Sequence, residues 1–297
     1  MRLFAISDLH LSFKANREAL TALDPRDYLE DGLILGGDLG ESIEHLEIAF
    51  KAAKTAFKHV FWVPGNHELY TMRHSGDGVK GEEKYNQCVK VAREWGVKTP
   101  EDDYVLWEGD GGPCVIALMC TLYDYSFRPE HVTRANAVKW AEEENTIATD
   151  EYLLHPDPYP TRDAWCHALC DRFEQKLQDT ALRYPGISFI LVNHWPLRQD
   201  VVQLMAVPRF SIWCGTKRTD QWHNKYNVKV VVSGHLHVRR TDWIDGVRFE
   251  ECSMGYPRQW KDIETMGYDI NLLLREILPG PPTPAGGTVP TVWRRFG

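Results

Sequence analysis

Strand, helix and strand follow one another early in this chain, and that rhythm excludes most alternatives to a layered α/β fold. Leu3-Phe4-Ala5-Ile6-Ser7 is a short apolar run ending in a polar loop, which predicts a buried strand. Leu33-Ile34-Leu35 and Val60-Phe61-Trp62-Val63 repeat the pattern. Between these two, Ser42 to Lys58 carries Ile43, Leu46, Ile48, Ala49 and Phe57 at helical spacing, and Ser42 is placed to cap the first free N–H. This is the βαβ signature of an α/β fold. Val115–Met119, Ile187–Val192 and Val228–Val232 predict more buried strands. Val238 to Glu250 reads as a hairpin turning at Asp245-Gly246, two residues that tolerate positive φ.

Residues 121–185 interrupt the rhythm. Helices are predicted over 133–148 and 161–183, separated by Pro156, Pro158 and Pro160, which exclude helix locally. The stretch reads as an insertion or cap on a single domain spanning 1–278. Residues 279–297 hold five prolines and four glycines, which predicts a flexible or surface-draped tail. Lys plus Arg number 34 against 42 for Asp plus Glu, a net charge of -8 that weighs against nucleic acid as a partner. No apolar run approaches the ~18 residues of a membrane span. The seven cysteines are odd in number and form no CxxC pair, as expected of reduced thiols. With chemically suggestive residues starting at Asp8, no room is left for a signal peptide, so a cytoplasmic location is expected.

Five segments carry chemistry, each just after a predicted strand: Asp8-Leu9-His10, Gly37-Asp38, Gly65-Asn66-His67-Glu68, Asn193-His194 and Gly234-His235-Leu236-His237. Loops at strand C-terminal ends are where α/β sheets place their ligands. Asp, Asn and His together suit first-row divalent metals, and no thiol is among them, which argues against structural zinc. Alternation along an extended chain would put Asp8 and His10 on one side, and His235 and His237 likewise, so that each pair grips a metal as a unit. The donors exceed the needs of one tetrahedral ion. Two ions ~3.5–4 Å apart, bridged by a carboxylate, are the natural solution.

In the order D-x-H, G-D, G-N-H-E, H and G-H-x-H, these segments resemble the calcineurin-like metallophosphoesterase family. The resemblance implies a two-sheet α/β/β/α sandwich with a helical insertion. It implies Asp8, His10 and His237 on one metal, Asn66, His194 and His235 on a second, and Asp38 bridging them. His67 would face the substrate near the leaving-group oxygen. Mn, Fe and Zn all suit these ligands. Asp8 and Asp38 offset only half the charge of two divalent ions, so the site would attract a phosphate, and water bridging the metals would be acidified into a nucleophile. His67, as imidazolium, would protonate the departing oxygen.

Other residues carry two readings each. Some family members place an Asp three residues after the bridging Asp, where it orients the catalytic His; here that position is Glu41. It would reach His67 or simply favour the helix dipole, the second being slightly the more common. Glu68 is an equally open partner for His67. His74 lies shortly after the G-N-H-E loop. Trp195 either walls the site or packs in the core. Of Arg239 and Arg240, at most one is expected to reach a phosphate; with Lys217 and Arg218 they are candidates for a local basic patch, the alternative for Lys217-Arg218 being ordinary surface charge. Cys166 and Cys170 are best read as buried small residues on one helix face.

The motifs set the reaction class but not the substrate. Trp213-Cys214-Gly215-Thr216, Trp222-His223 and Gly255-Tyr256-Pro257 resemble a bacterial subgroup that includes a phosphopantetheinyl hydrolase. That implies a phosphodiesterase removing 4′-phosphopantetheine from acyl carrier protein, or acting on a small-molecule diester. The alternatives are a phosphomonoesterase for a sugar or nucleotide phosphate, a nuclease, and an inactive interaction scaffold; the acidic composition weighs against the nuclease and the intact donor set against the scaffold.

Overall fold

Each apolar run of the sequence is a strand in the computed structural model, which describes residues 1–23, 25–72, 78–284 and 289–297. In chain order the strands are β1 (Leu3–Ile6), β2 (Gly32–Leu35), β3 (His59–Trp62), β4 (Val105–Trp107), β5 (Cys114–Leu118), β6 (Ser188–Val192), β7 (Val228–Ser233), β8 (Arg240–Ile244), β9 (Val247–Glu251), β10 (Arg275–Leu278) and β11 (Val292–Trp293). One sheet has the order β10-β1-β2-β3, with β10 antiparallel and the rest parallel. The other has the order β11-β8-β9-β7-β6-β5-β4. In it β5, β6, β7 and β9 run parallel, while β4, β8 and β11 are antiparallel to their neighbours.

Alternation sorts the strand side chains into layers. Leu3, Ala5, Ile34 and Phe61 of the first sheet meet Ile116, Leu118, Ile190, Val192, Val230 and Val232 of the second in one buried cluster. The intervening residues, among them Phe4, Leu33, Val60, Phe189 and Leu191, join a second cluster with the helices. The helix Ile43–Ala56 packs Phe50 edge-on against Trp62 of β3, with ring centroids 5.8 Å apart. It begins where expected, with Ser42 Oγ accepting from His45 N at 3.2 Å. The α/β/β/α sandwich is therefore the observed fold.

The helix expected over 133–148 is broken. A 3-10 turn at Arg134–Asn136 leads into a helix at Ala137–Glu142, and a separate short helix covers Asp150–Leu153. The break comes at Asn145, which takes a left-handed φ of 54°, while Thr146 N reaches back to Ala141 O in a helix-ending turn. The helix Arg162–Arg183 is continuous, with Thr161 Oγ1 capping Ala164 N at 3.1 Å. It is the crossover that parallel β5 and β6 require. Near the C-terminus, Val292 and Trp293 pair with β8, so part of the tail is tied to a sheet edge. All seven cysteines are buried and unpaired.

The two sheets are stitched together where β1 and β9 end. Ser7 N donates to Cys252 O at 3.0 Å, Met254 N to Ser7 O at 2.8 Å and Gly255 N to Asp8 O at 3.0 Å. The C-terminal ends of β1, β2, β3, β6 and β7 thereby open onto one edge of the sandwich. Ile190, fully buried between the sheets, tests this core. Ile190→Ala is expected to cost about 2–5 kcal/mol, read as a lower urea midpoint at an unchanged slope.

Candidate active site

The five loops bring Asp8, His10, Asp38, Asn66, His67, His194, His235 and His237 together. Strand alternation is not the cause. Asp8, His10, Asp38, His235 and His237 have φ of 54, 40, 54, 72 and 55°, left-handed turns that Asp and His accept more readily than most side chains. The expectation that His235 and His237 grip one ion as a unit is overturned, because these turns send them to different donor groups. The first group is Asp8, His10, Asp38 and His237, and the second is Asp38, His194 and His235; within each, the ligand atoms lie within 4.8 Å of one another. Asp38 belongs to both.

In the first group His237 Nε2 lies 3.0 Å from both His10 Nε2 and Asp8 Oδ1. In the second, His194 Nε2 is 3.4 Å from Asp38 Oδ2, and Asn66 Oδ1 faces His235 Nδ1 at 3.1 Å. A surrounding layer sets the tautomers. His194 Nδ1 donates to Gly36 O at 2.8 Å, and His237 Nδ1 faces Gln259 Oε1 at 3.0 Å. Each then turns its Nε2 inward, the nitrogen from which a metal ion would displace a proton. The Nε2 of His194 is buried with no hydrogen-bond partner, as a metal ligand would be. Asp8 is held by Ser7 Oγ at 2.6 Å and Ser253 Oγ at 2.7 Å.

The electrostatics call for cations. Burial alone would raise the Asp8 and Asp38 carboxyls, yet the surrounding histidines hold both below the usual carboxylate range. Conversely, burial would lower His194, but Asp38 drives it up to about 10, and His237 is raised by Asp8 in the same way. Protons are being drawn into a site short of positive charge, and divalent ions would displace them. His10 and His235 are pushed down by burial to about 4 and about 3, which keeps them neutral and suited to ligation.

His67 stands apart. Its Nδ1 lies 2.8 Å from Glu41 Oε1 and its Nε2 3.8 Å from Asp38 Oδ2. Burial opposes the charge, but the two carboxylates win and raise His67 to about 9. Of the two readings of Glu41, the contact with His67 is the one realised. Glu68 has a different role. Its carboxylate accepts from Asp38 N at 3.0 Å, Leu39 N at 2.8 Å and Gly65 N at 2.8 Å, clamping two motif loops together. Trp195 is fully buried, with its ring 5.1 Å from His194 and 6.0 Å from His235, so it both packs in the core and backs the second group.

Arg239 does not reach the site. Its guanidinium donates to the carbonyls of Ser253, Met254, Gln259 and Arg295. The expected basic patch is not assembled either. Arg240 is buried against Asp242 at 2.6 Å, and Arg218 pairs with Asp171. His74 lies outside the described residues. Three contributors had no motif to mark them: Gln259, Tyr70 and Asp150. Asn66 Nδ2 donates to Tyr70 OH at 2.9 Å and to Asp150 Oδ1 at 3.0 Å. Tyr256 stacks on His10 at 4.6 Å. Tyr256 falls within Gly255-Tyr256-Pro257, which carries the subgroup resemblance, but nothing in the sequence assigns it to His10.

Beside the donor groups lies a cleft of about 730 Å³. His67, Asp38 and His235 line one side, and Leu204, Met205, Val207, Phe210 and Trp293 make an apolar wall.

The calcineurin-like phosphoesterase family model matches residues 1–239. The chain belongs to this family. It is 42% identical over 280 residues, 94% of this chain and 84% of the relative, to acyl-carrier-protein phosphodiesterase PptH of Mycobacterium tuberculosis. The crystal structure of phosphopantetheinyl hydrolase (PptH) from Mycobacterium tuberculosis superposes with a TM-score of 0.86 at 41% identity, covering 96% of this chain and 98% of that one. This chain is a metal-dependent phosphoric ester hydrolase. The family binds a dinuclear divalent centre, and the two donor groups are this chain's candidates for it. No helix among the described residues is long and apolar enough to cross a membrane.

The Glu68 clamp yields a stability test. Each buried N–H left without a partner costs ~1–3 kcal/mol. Glu68→Ala strands three of them, so a fall of at least 3 kcal/mol, about one per donor at the low end, is expected in chemical denaturation. Glu68→Gln, which keeps one acceptor oxygen, should fall between Ala and the parent.

Proposed function

We propose that this enzyme hydrolyses the diester that joins a 4′-phosphopantetheine arm to an acyl carrier protein. The observation that carries the reading is its 42% identity to acyl-carrier-protein phosphodiesterase PptH across 94% of the chain. The cleft supports it. An apolar wall beside a polar centre suits a long arm whose gem-dimethyl and methylene segments alternate with amides and whose end is a phosphodiester. Arg258, exposed and 5.9 Å from the Tyr256 ring, supplies positive charge at the same cleft for an acidic partner. Seven buried, unpaired cysteines suit a reducing, cytoplasmic compartment.

In this reading Asp8, His10 and His237 would hold one divalent ion, Asn66, His194 and His235 would hold the other, and Asp38 would serve both. When bound, the ions supply Lewis-acid charge to the phosphoryl oxygens and to an attacking water. The chain does the rest. His67 donates its Nε2 proton to the departing oxygen, while Nδ1–H stays with Glu41, which keeps the ring charged and aimed.

The first test compares bis(p-nitrophenyl) phosphate with p-nitrophenyl phosphate on metal-stripped protein reloaded with manganese. A diester preference is expected, and holo acyl carrier protein should lose one phosphopantetheine by intact mass. A monoester preference with intact holo carrier protein would refute the reading. Asp38→Ala is expected to abolish activity together with paired metal content. His67→Ala should keep both metals and lose rate mainly with poor leaving groups.

The pH profile gives a separate check. Catalysis by the His67 imidazolium is lost as pH rises through its folded pKa. Glu41→Gln removes a carboxylate 2.8 Å away and so lowers that pKa. The alkaline limb of kcat/KM should move down by about one to three pH units. An unmoved limb would show that His67 is not the proton donor.

A further inference from the structure

The short helix Asp150–Leu153, within the stretch 121–185, is built into the loop that carries Asn66 and His67. Thr71 N donates to Leu153 O at 2.9 Å, and Tyr70 bridges to Leu154. Arg162 braces the helix from the other side, donating to Asp150 O at 2.7 Å and Leu154 O at 2.8 Å and pairing with Glu151 at 3.0 Å. Trp213 Nε1 donates to the same Glu151 at 2.8 Å. Asp150 is thus held rigidly beneath Asn66, at 2% exposure.

The contacts form a closed triangle. Asn66 Nδ2 donates to Asp150 Oδ1 at 3.0 Å and to Tyr70 OH at 2.9 Å, and Tyr70 OH donates to the same Asp150 Oδ1 at 2.6 Å. Both amide hydrogens have acceptors, so the amide oxygen is left facing His235 Nδ1 at 3.1 Å. A primary amide has two ends of nearly equal size and opposite character: the oxygen ligates a hard cation and the NH2 does not. Nothing within Asn66 chooses between them. A carboxylate does, because it only accepts: turning the amide round would set Asn66 Oδ1 against Asp150 Oδ1.

We propose that Asp150, with Tyr70 beside it, is the positioning residue that commits the Asn66 amide to presenting its oxygen to the second donor group. The affinity of that second site is then set by a residue outside the five motif loops. The inference rests on the two-ion reading above, and it extends that reading to a residue with no motif of its own.

The test titrates metal-free, full-length protein with Mn(II) and follows both stoichiometry and the EPR signal, which separates exchange-coupled pairs from isolated ions. The parent protein should bind two ions and show the coupled signal. Asp150→Ala should bind the first ion unchanged and the second about 10–100-fold more weakly, losing the coupled signal at a concentration that saturates the parent. Asp150→Asn keeps an acceptor oxygen and should recover most of that affinity. Tyr70→Phe, which removes one of two acceptors, should fall between them. Wild-type affinity at both sites in Asp150→Ala overturns the proposal. So does an equal loss at both sites in the Ala and Asn variants alike, the mark of general packing. Fewer than two ions in the parent protein would instead refute the two-ion reading.

Discussion

Two buried carboxylates set the terms for everything around them. Asp8 and Asp38 are 0% and 2% exposed at the seam between the sheets. An ion removed from water costs several kcal/mol even after relaxation, so neither carboxylate survives there unless it is compensated. The fold answers with hydroxyls from Ser7 and Ser253, backbone amides from His67 and His235, and a ring of histidines. Those amides must come very close. A Cβ on Gly65 would overlap the Asp38 carboxylate, and one on Gly234 would overlap that of Asp8, so the motif glycines are spaces kept empty for the carboxylates. The left-handed turns at five donor residues are the backbone's share of the same cost, tolerated because stitched strands hold each turn from both sides.

The sandwich explains how so much strain is borne. Parallel strands end together, and two sheets stitched at Ser7 and Cys252 end at one edge. Loops far apart in the chain are thereby fixed by the inter-sheet core and by direct bonds to one another, Asp8 N to Gly37 O at 2.8 Å, His10 N to Asp38 O at 2.9 Å and Gly234 N to His194 O at 2.9 Å among them. Glu68 ties the Asp38 and Gly65 loops together, beside the bond from His67 N to Asp38 Oδ1 at 2.9 Å. Its carboxyl is raised to about 7 by burial and by Asp38, a measure of how much negative charge the site already holds.

What was legible in the sequence is what local patterns encode. The strands were legible because short continuous apolar runs bounded by polar loops suit strands buried on both faces, and the Ser42 cap because it acts over three residues. The donors were legible as a set because their types and order carry chemistry. Their backbone was not, since a D-x-H read as extended chain gives no sign of a turn at positive φ. Glu41 was ambiguous because a helix dipole and a distant imidazole are equally good reasons for a carboxylate there; only the fold brings His67 to it. Arg239 misled because its carbonyl partners include Arg295, near the C-terminus. Asp150 had no pattern to betray it: its significance lies wholly in what the fold sets above it.

The arrangement divides labour between two kinds of segment. The motif loops hold charge and protons, while residues 147–150, 203–210 and 293 shape the cleft. The division is energetic as well as spatial. An apolar wall next to the donor groups excludes water and strengthens every charge interaction at the reacting phosphorus. It does so only when a substrate covers it. On the proposed reading, binding energy from a long arm against Leu204, Val207 and Trp293 would be convertible into rate, and a small diester that leaves the wall wet would forgo that gain. On that reading, the proposed specificity for a large diester need not come from any contact with the phosphate itself. It follows from placing a hydrophobic surface beside a centre whose chemistry improves as water leaves.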